Sequence, residues 1–368
     1  MRSLLDRAME IVPSFDFPGD VLSLIPYGSG HINDTFLLET TERERYCLQR
    51  INPWVFKNPT GMMKNIERVS KHLEDKILAR GGNPRRERLS LIPVKKGGSF
   101  VWDDYSAAWR LYQYIEGTTA YDFVDDGQKI EEAARAFSLF TKELVDLAAP
   151  PLEETIANFH DTKSRYLDFQ AAVEEDPFSR CSSAMKEISF LQSREGIMGK
   201  IVEALDSGDL PLRTVHNDTK INNVLFDLRS GSALCVIDLD TVMPGTPLFD
   251  FGDGVRMAAS TGREDERQLG RVRFSIEGFE CFAKGYMKVS RDYLSPLEME
   301  LMPWAPPLMT LECGMRFLSD YLLGDEYFKT SRRGQNLDRC RTQLKVFSEM
   351  EQNISKMEKI LKKTIMAS

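Results

Sequence analysis

One stretch constrains this chain more than any other: Val215 to Asp227, VHNDTKINNVLFD, leading through a short turn into LCVIDLD, Leu234 to Asp240. It sets His216, Asp218 and Asn223 in the pattern H-x-D-x-x-x-x-N, with Asp238 twenty residues beyond Asp218. The apolar run NVLF that begins at Asn223 turns at Leu228-Arg229-Ser230-Gly231 and resumes as SALCVI, which reads as a β-hairpin. A hairpin brings Asn223 and Asp238, at its two open ends, close enough to share one ion. Phosphoryl transfer needs such a set: a carboxylate to orient the attacking hydroxyl, and an amide oxygen plus a second carboxylate to hold Mg²⁺ against nucleotide phosphates. Taken singly, each of these residues reads as an ordinary turn residue, and only the spacing carries the signal.

A second aspartate competes for the metal. Asp250-Phe251-Gly252 spells a kinase metal motif, but it stands 32 residues after Asp218, whereas Asp238 stands at the distance the hairpin can close. The metal is therefore assigned to Asn223 and Asp238. Asp250 is expected to brace the catalytic loop by hydrogen bonds, and His216 to shape that loop rather than take a proton.

The stretch is similar to the aminoglycoside phosphotransferase and choline kinase superfamily. The segments PYGSGHIN, HNDTKINNVLFD, IDLDTVMPGTPLFDFGD and ECGMRFLSDYLLGDEYF more narrowly resemble bacterial N-acetylhexosamine 1-kinases, over nearly the whole chain. The resemblance implies an α+β, two-lobed protein-kinase-like fold. A small antiparallel β-sheet lobe would span 1–115, and a larger, mainly helical lobe 116–368. It also implies ATP and Mg²⁺ as cofactors, a small sugar as the other partner, and a chain acting as a monomer or homodimer.

Composition narrows the field further. At 368 residues with 42% hydrophobic residues, the chain can bury one large or two modest cores, and two lobes suit the length. Its formal net charge of −8 argues against nucleic acid or an anionic membrane as a partner, since both select basic patches. The six cysteines lack C-x-x-C spacing, which favours buried thiols in a reducing compartment, and the cytoplasm is the expected location. The N-terminal stretch lacks the unbroken apolar core of a signal peptide, and no segment reaches the length of a membrane span.

Along the chain, residues 1–12 carry apolar positions at helical spacing and are expected to pack on the small lobe. Strand character over Val21 to Tyr27 and Ile32 to Glu39 flanks Gly28-Ser29-Gly30, a strand-glycine turn-strand unit suited to covering phosphates with backbone N–H groups. His31 and Asn33 follow as polar residues able to face the cleft; the resemblance implies that His31 contacts the sugar. The third strand, Arg45 to Ile51, is where the superfamily usually places a lysine that grips the α- and β-phosphates. Here alternation puts Gln49 at that position, and a neutral amide supplies no charge. Arg50, or a lysine from elsewhere, is left open as its replacement.

Residues 62–80 read as a helix ended by Gly81-Gly82, with Glu67 either solvated or paired to Arg50. Strands are expected near 89–94, 99–102 and 106–115. They lead to a hinge at Tyr114, Ile115 and Glu116, whose backbone groups would pair with the adenine edge. Helical periodicity follows over Ile130 to Leu147 and Arg194 to Leu205, then over Leu308 to Leu323 and near Asp338 to Ile365. Arg316 on the apolar helix CGMRFLSDYLL needs a polar partner, with Asp320 one turn on as the plain candidate. The resemblance instead implies that Arg316 and Tyr327 hold a hexosamine. Asp218 is expected to meet the sugar hydroxyl it orients, and Asp240, two residues past Asp238 and therefore expected on the same strand face, is a candidate contact for the sugar or for a metal-bound water. The expected reaction is phosphorylation of an anomeric hydroxyl, with Asp218 as the catalytic residue. The competing readings are a superfamily kinase acting on an amino alcohol, an aminoglycoside or another sugar, and a non-catalytic nucleotide- or sugar-binding protein.

Overall fold

A reciprocal capping box between Ser3 and Asp6 starts α1 (Leu4–Ile11), the first element of a computed structural model that describes residues 3–28 and 32–367. Ala8 and Ile11 of this helix, with Val12 and Phe15, lie against a sheet built from β1 (Val21–Pro26), β2 (Asp34–Thr40) and β3 (Arg45–Arg50). Helix α2 (Pro59–Ala79) and the single turn α3 (Pro84–Glu87) follow, then β4 (Phe100–Trp102) and β5 (Ala108–Gln113). The five strands pair antiparallel in the order β1-β2-β3-β5-β4.

Side chains alternate across a strand, and that alternation decides what faces the cleft. Phe36, Leu48 and Leu111 stand opposite one another and join the apolar layer beneath α1. One residue along, Thr35, Gln49 and Arg110 stand opposite one another on the other face. There α2 contributes Met62, Met63, Ile66 and Val69 to a cluster with Ala108 and Tyr112. The same cluster takes in Phe140, Leu144, Leu239 and Val242 from the helical half, so the lobes meet through an apolar contact as well as through the chain. The expected strand at 89–94 is reduced to isolated bridges: Ile92 N–H bonds Leu111 O and Gln113 N–H bonds Ser90 O, but Pro93 has no N–H to continue a ladder.

After β5 the chain changes sheets. β6 (Thr118–Thr119) pairs with a strand some hundred residues on, in a three-stranded sheet of the larger lobe. That lobe runs through α4 (Gly127–Glu143), α5 (Thr162–Glu175), α6 (Met185–Gln192), α7 (Glu195–Met198) and α8 (Val202–Asp206). The single helix expected over Arg194 to Leu205 is broken into α7 and α8 around Gly199, a residue that weakens helix interiors. Next come β7 (Arg213–Val215), β8 (Val224–Asp227), β9 (Ala233–Val236) and β10 (Met243–Gly245), with β8–β9 the predicted hairpin and β10 paired to β7. Helices α9 (Pro247–Ala258), α10 (Ile276–Ser290), α11 (Pro296–Leu301), α12 (Ala305–Leu323) and α13 (Gln335–Ala367) complete the chain. Among the described residues no helix is long and apolar enough to cross a membrane.

Two aromatic-rich cores fix α9 and α12, which flank the site. Phe251 of α9 packs among Phe279, Phe282 and Tyr286 of α10. Met315 and Leu318 of α12 share the second core with Phe169 and Phe347. Gly252 lets α9 and α12 touch: a Cβ there would lie 2.6 Å from the Ala305 carbonyl oxygen and 2.6 Å from Met309. Gly252→Ala is therefore expected to cost about 1–3 kcal/mol by overpacking, read as a lowered midpoint in chemical unfolding. An unchanged midpoint would show that the α9–α12 spacing has slack.

Candidate active site

Asp250, fully buried in the first turn of α9, organises the segment that follows β7. Its carboxylate accepts the backbone N–H groups of His216 at 3.0 Å and Asn217 at 2.7 Å and the Thr141 hydroxyl at 3.2 Å, while its own carbonyl accepts Thr219 Oγ1 at 2.6 Å. Burial pushes the Asp250 carboxyl up, and His216 with these N–H donors pulls the other way. Asn217 takes a left-handed conformation at φ 63°, tolerable for an asparagine, and its amide donates to Thr241 O at 3.0 Å. The His216 ring is used up internally. Nδ1 accepts Asp218 N–H at 3.2 Å, Nε2 donates to Ile237 O at 2.9 Å, and Phe137 and Phe140 present ring edges to it.

That frame holds Asp218 between two donors. Asn223 Nδ2 reaches Oδ2 at 3.1 Å and also the Asp218 carbonyl at 2.8 Å, and Lys220 Nζ reaches Oδ1 at 2.7 Å. Burial works against the Asp218 carboxylate, but the Lys220 ammonium more than offsets it and holds the carboxyl below its usual range. Burial likewise opposes the Lys220 charge, and Asp218 with Asp253 outweighs it, raising the amine above its ordinary value. Lys220 was missed in the sequence; its place two residues after Asp218 was the available signal.

The hairpin does close. Ile237 N–H donates to the Asn223 carbonyl at 2.9 Å, which sets Asn223 beside Asp238. The expectation that Asp238 and Asp240 share a strand face is not met. β9 ends at Val236, Asp238 turns left-handed at φ 62°, and Asp240 lies in a 3₁₀ turn, Leu239–Thr241. Asp240 is 2% exposed, with Oδ1 on Arg110 Nη1 at 2.5 Å and Oδ2 on Asn33 Nδ2 at 2.7 Å. It is a brace between the lobes in this arrangement, not an open edge for a sugar.

The donor chemistry fits a hard divalent cation. Asp238 is open to solvent at the cleft, yet the protein packed around it, Asp240 and Asp218 push its carboxyl up, a crowding that a cation would relieve. Three carboxylates, on Asp218, Asp238 and Asp240, face two cations, Lys220 and Arg110. Asn223 spends its amide nitrogen on Asp218, which leaves its amide oxygen as a ligand. Among the described residues no group of three or more His, Cys, Asp or Glu closes around a metal position. An amide oxygen and one carboxylate, completed by phosphate oxygens and water, is the sparse arrangement expected for Mg²⁺.

Of the expected glycine turn, Gly28 is described, at φ 79°, with no described residue within 4 Å of where a Cβ would stand, and Tyr27 N–H bonds Thr35 O at 2.9 Å at the turn's base. Ser29, Gly30 and His31 lie outside the described residues. At the hinge, Ile115 is buried and its carbonyl accepts Thr118 Oγ1, the Glu116 carbonyl accepts Arg86, and Tyr114 N–H donates to Arg45 O. The Tyr114 carbonyl and the Glu116 N–H, two residues apart, are engaged by no described residue.

Arg316 and Tyr327 meet: the guanidinium lies 3.4 Å from the Tyr327 hydroxyl and against the rings of Phe159, Tyr327 and Phe328 at 5.1 to 5.6 Å. The Asp320 partnership is not formed. Asp320 instead accepts the N–H groups of Glu326, Tyr327 and Phe328 at 2.8 to 3.0 Å and the Asn336 amide, fixing the turn that carries Tyr327. One turn before Arg316, Glu312 bonds His160 Nδ1 at 2.9 Å, and His160 Nε2 bonds the Asn217 carbonyl at 2.9 Å. Both ring nitrogens face acceptors, an arrangement that favours the protonated ring. Burial opposes that charge, but Glu312 outweighs it and raises the group. This buried link ties the helix bearing Arg316 to the residue next to Asp218; nothing in the sequence around His160 signalled it.

The two-lobed fold and this loop are the frame of a phosphotransferase, the class to which the family comparison assigns the chain. A family-wide sequence profile described as the phosphotransferase enzyme family, APH, matches residues 23–281, and the chain belongs to that family. Among solved structures it is similar to a microcompartment-associated aminopropanol kinase (14% identity, 96% of this chain and 98% of that one, TM-score 0.58). It is similar also to the choline kinase of Cryptosporidium parvum Iowa II (13%, 93% and 91%, 0.57). A third is the amicoumacin kinase hAmiN, solved with AMP-PNP, Ca²⁺ and Ami (11%, 95% and 94%, 0.59). At these identities the likeness is one of fold.

Because Asp250 satisfies two buried N–H groups and a hydroxyl, Asp250→Ala is expected to cost about 2–4 kcal/mol of stability without altering the Mg²⁺ concentration at half-maximal activity. Asp238→Ala is expected to do the reverse. Rescue of the Asp250 variant, and not the Asp238 variant, by raised Mg²⁺ would exchange the two assignments.

Proposed function

We propose that the protein transfers the γ-phosphoryl group of ATP to the anomeric hydroxyl of an N-acetylhexosamine. The observation that carries the phosphotransfer reading is Asp218, held between Asn223 and Lys220 beside Asp238. In this reading Asp218 orients the sugar hydroxyl and accepts its proton as the oxygen–phosphorus bond forms and the bond to the β-phosphate oxygen breaks, releasing ADP. Asn223 and Asp238 would hold Mg²⁺, which supplies charge neutralisation at the phosphates. Lys220 holds the Asp218 carboxyl in its charged form, and its ammonium beside Asp218 would stabilise negative charge developing on the transferred group. The backbone at Tyr114 and Glu116 receives adenine, and Gly28 opens the turn that would cover the phosphates together with Ser29 and Gly30.

For the acceptor, the supporting observation is Arg316. It has no carboxylate partner among the described residues, lies against aromatic rings, and is held near the catalytic loop through Glu312 and His160. A guanidinium and a tyrosine hydroxyl suit a neutral sugar with hydroxyl and acetamido oxygens. They disfavour an amino alcohol or aminoglycoside, whose ammonium groups the Arg316 charge would repel. The sequence resemblance adds His31 to the same sugar contact.

Three experiments test this. Asp218→Asn is expected to keep the fold and ATP binding yet lower turnover by about 10²- to 10⁴-fold. Incubation with ATP, Mg²⁺ and a panel of free sugars, followed by phosphorus NMR, should show a 1-phosphate of an N-acetylhexosamine, and a 6-phosphate would sink the anomeric assignment. Arg316→Lys keeps the charge and loses the planar fork, so the sugar KM should rise while the ATP KM and the melting temperature hold. A lowered melting temperature with an unchanged sugar KM would leave Arg316 a packing residue.

A further inference from the structure

The lysine missing from β3 has a counterpart on the neighbouring strand. Gln49 and Arg110 are directly paired across β3 and β5, and their side chains lie on the cleft face. Gln49 Oε1 accepts both Arg110 Nε at 3.0 Å and Nη2 at 2.8 Å, and Gln49 Nε2 reaches Thr35 Oγ1 at 3.2 Å. The third nitrogen, Nη1, reaches Asp240 in the other lobe, with the two side chains 1% and 2% exposed. Burial opposes the guanidinium charge, and Asp240 with Asp238 among its neighbours outweighs it.

The other candidates fall away on geometry. Arg50, one residue beyond Gln49, stands on the opposite face: it is paired with Trp109 and bonds Asp34 at 2.6 Å. Glu67, the expected helix partner of a strand lysine, is exposed. The position on α2 that does meet Arg110 is Met63, whose sulfur lies 4.0 Å from Nη1.

We propose that Arg110 takes the place of the absent lysine as a positioning residue. Its fork clamps Gln49 on one side and Asp240 on the other, and so fixes the turn that presents Asp238 to the magnesium nucleotide. The network continues through Asp240 Oδ2 to Asn33, at the end of the glycine turn, whose own Oδ1 takes Asn52 N–H at 3.0 Å. One buried cation thus sets the metal-holding segment, the sheet and the phosphate turn in register. The clamp needs three donors in one plane, which an ammonium cannot supply.

This rests on the reading of the chain as an ATP-dependent phosphotransferase, and the test separates the two. Titration calorimetry with MgATP, unfolding midpoints and both KM values would be measured on wild type, Arg110→Lys, Arg110→Gln, Gln49→Leu and the double variant Gln49→Lys with Arg110→Gln. Arg110→Lys is expected to weaken MgATP binding by about tenfold or more with the sugar KM nearly unchanged, because charge is kept and the fork lost. Gln49→Leu, which spares the ion pair, should weaken MgATP binding less than Arg110→Lys does. The double variant, which returns the charge to β3, should bind MgATP more tightly than Arg110→Gln, a recovery that a merely structural role would not produce. Should Arg110→Gln fail to fold, Arg110→Lys and Gln49→Leu decide the matter. MgATP affinity within twofold of wild type in Arg110→Lys would overturn the proposal, as would a double variant no better than a folded Arg110→Gln. Wild type that binds no nucleotide would overturn the phosphotransferase reading itself.

Discussion

The contact on which the rest depends is the Asp250 carboxylate beneath the loop that follows β7. A tight loop at the base of a cleft turns its N–H groups inward, where neither a helix nor a ladder can satisfy them. Left unpaired, such groups cost as much as lost hydrogen bonds. Asp250 meets two of them from the first turn of α9, a position where the helix dipole favours a negative charge. α9 is in turn held by Phe251 in the α10 core and by Gly252 against α12. Consecutive residues of one helix therefore do three jobs: Asp250 holds the loop, Phe251 anchors the helix, and Gly252 brings in the helix that bears Arg316.

Above that base, geometry and electrostatics work together. The catalytic segment crowds Asp218, Asp238 and Asp240 together, one buried, one half-buried and one open to solvent, an arrangement that like-charge repulsion would open in the absence of cations. Lys220 settles Asp218 and Arg110 settles Asp240, which leaves Asp238 as the carboxyl driven upward, with no hydrogen bond from any described residue. The ordering follows from who has a partner. The same two cations come from different lobes, so the distribution of charge also reports whether the lobes are closed on one another.

The parts legible in the sequence were those set by local pattern. Alternation and turn residues marked the β8–β9 hairpin and therefore the adjacency of Asn223 and Asp238, and helical spacing marked α2, α4, α12 and α13 to within several residues. What the sequence hid were contacts between segments far apart in the chain. Arg110 looked like one more residue in an apolar strand, because its partners Gln49 and Asp240 are 61 and 130 residues away. His160 was hidden for the same reason, with Glu312 152 residues off. Asp240 was misplaced by extending strand alternation past Val236, where the left-handed turn at Asp238 ends it. The Arg316–Asp320 pair failed differently. Helical spacing allowed it, but three backbone N–H groups of the following turn had claimed the carboxylate.

The displaced charge on β5 bears on how a cleft of this kind tolerates change. A lysine on β3 is a flexible point charge that answers to whatever anion lies before it, whereas a guanidinium held on two sides is fixed before any ligand arrives. Fixing it costs desolvation, which the Asp240 ion pair, buried with it, and the half-buried Gln49 carbonyl offset. Such a clamp exchanges adaptability for preorganisation: less ordering remains to be done when nucleotide binds, and the affinity lost with a missing phosphate contact is partly regained as a smaller ordering cost. The neutral residue at position 49 is then no defect in the site. An acceptor is what the fork of Arg110 requires there, and a lysine in its place would set two buried cations side by side.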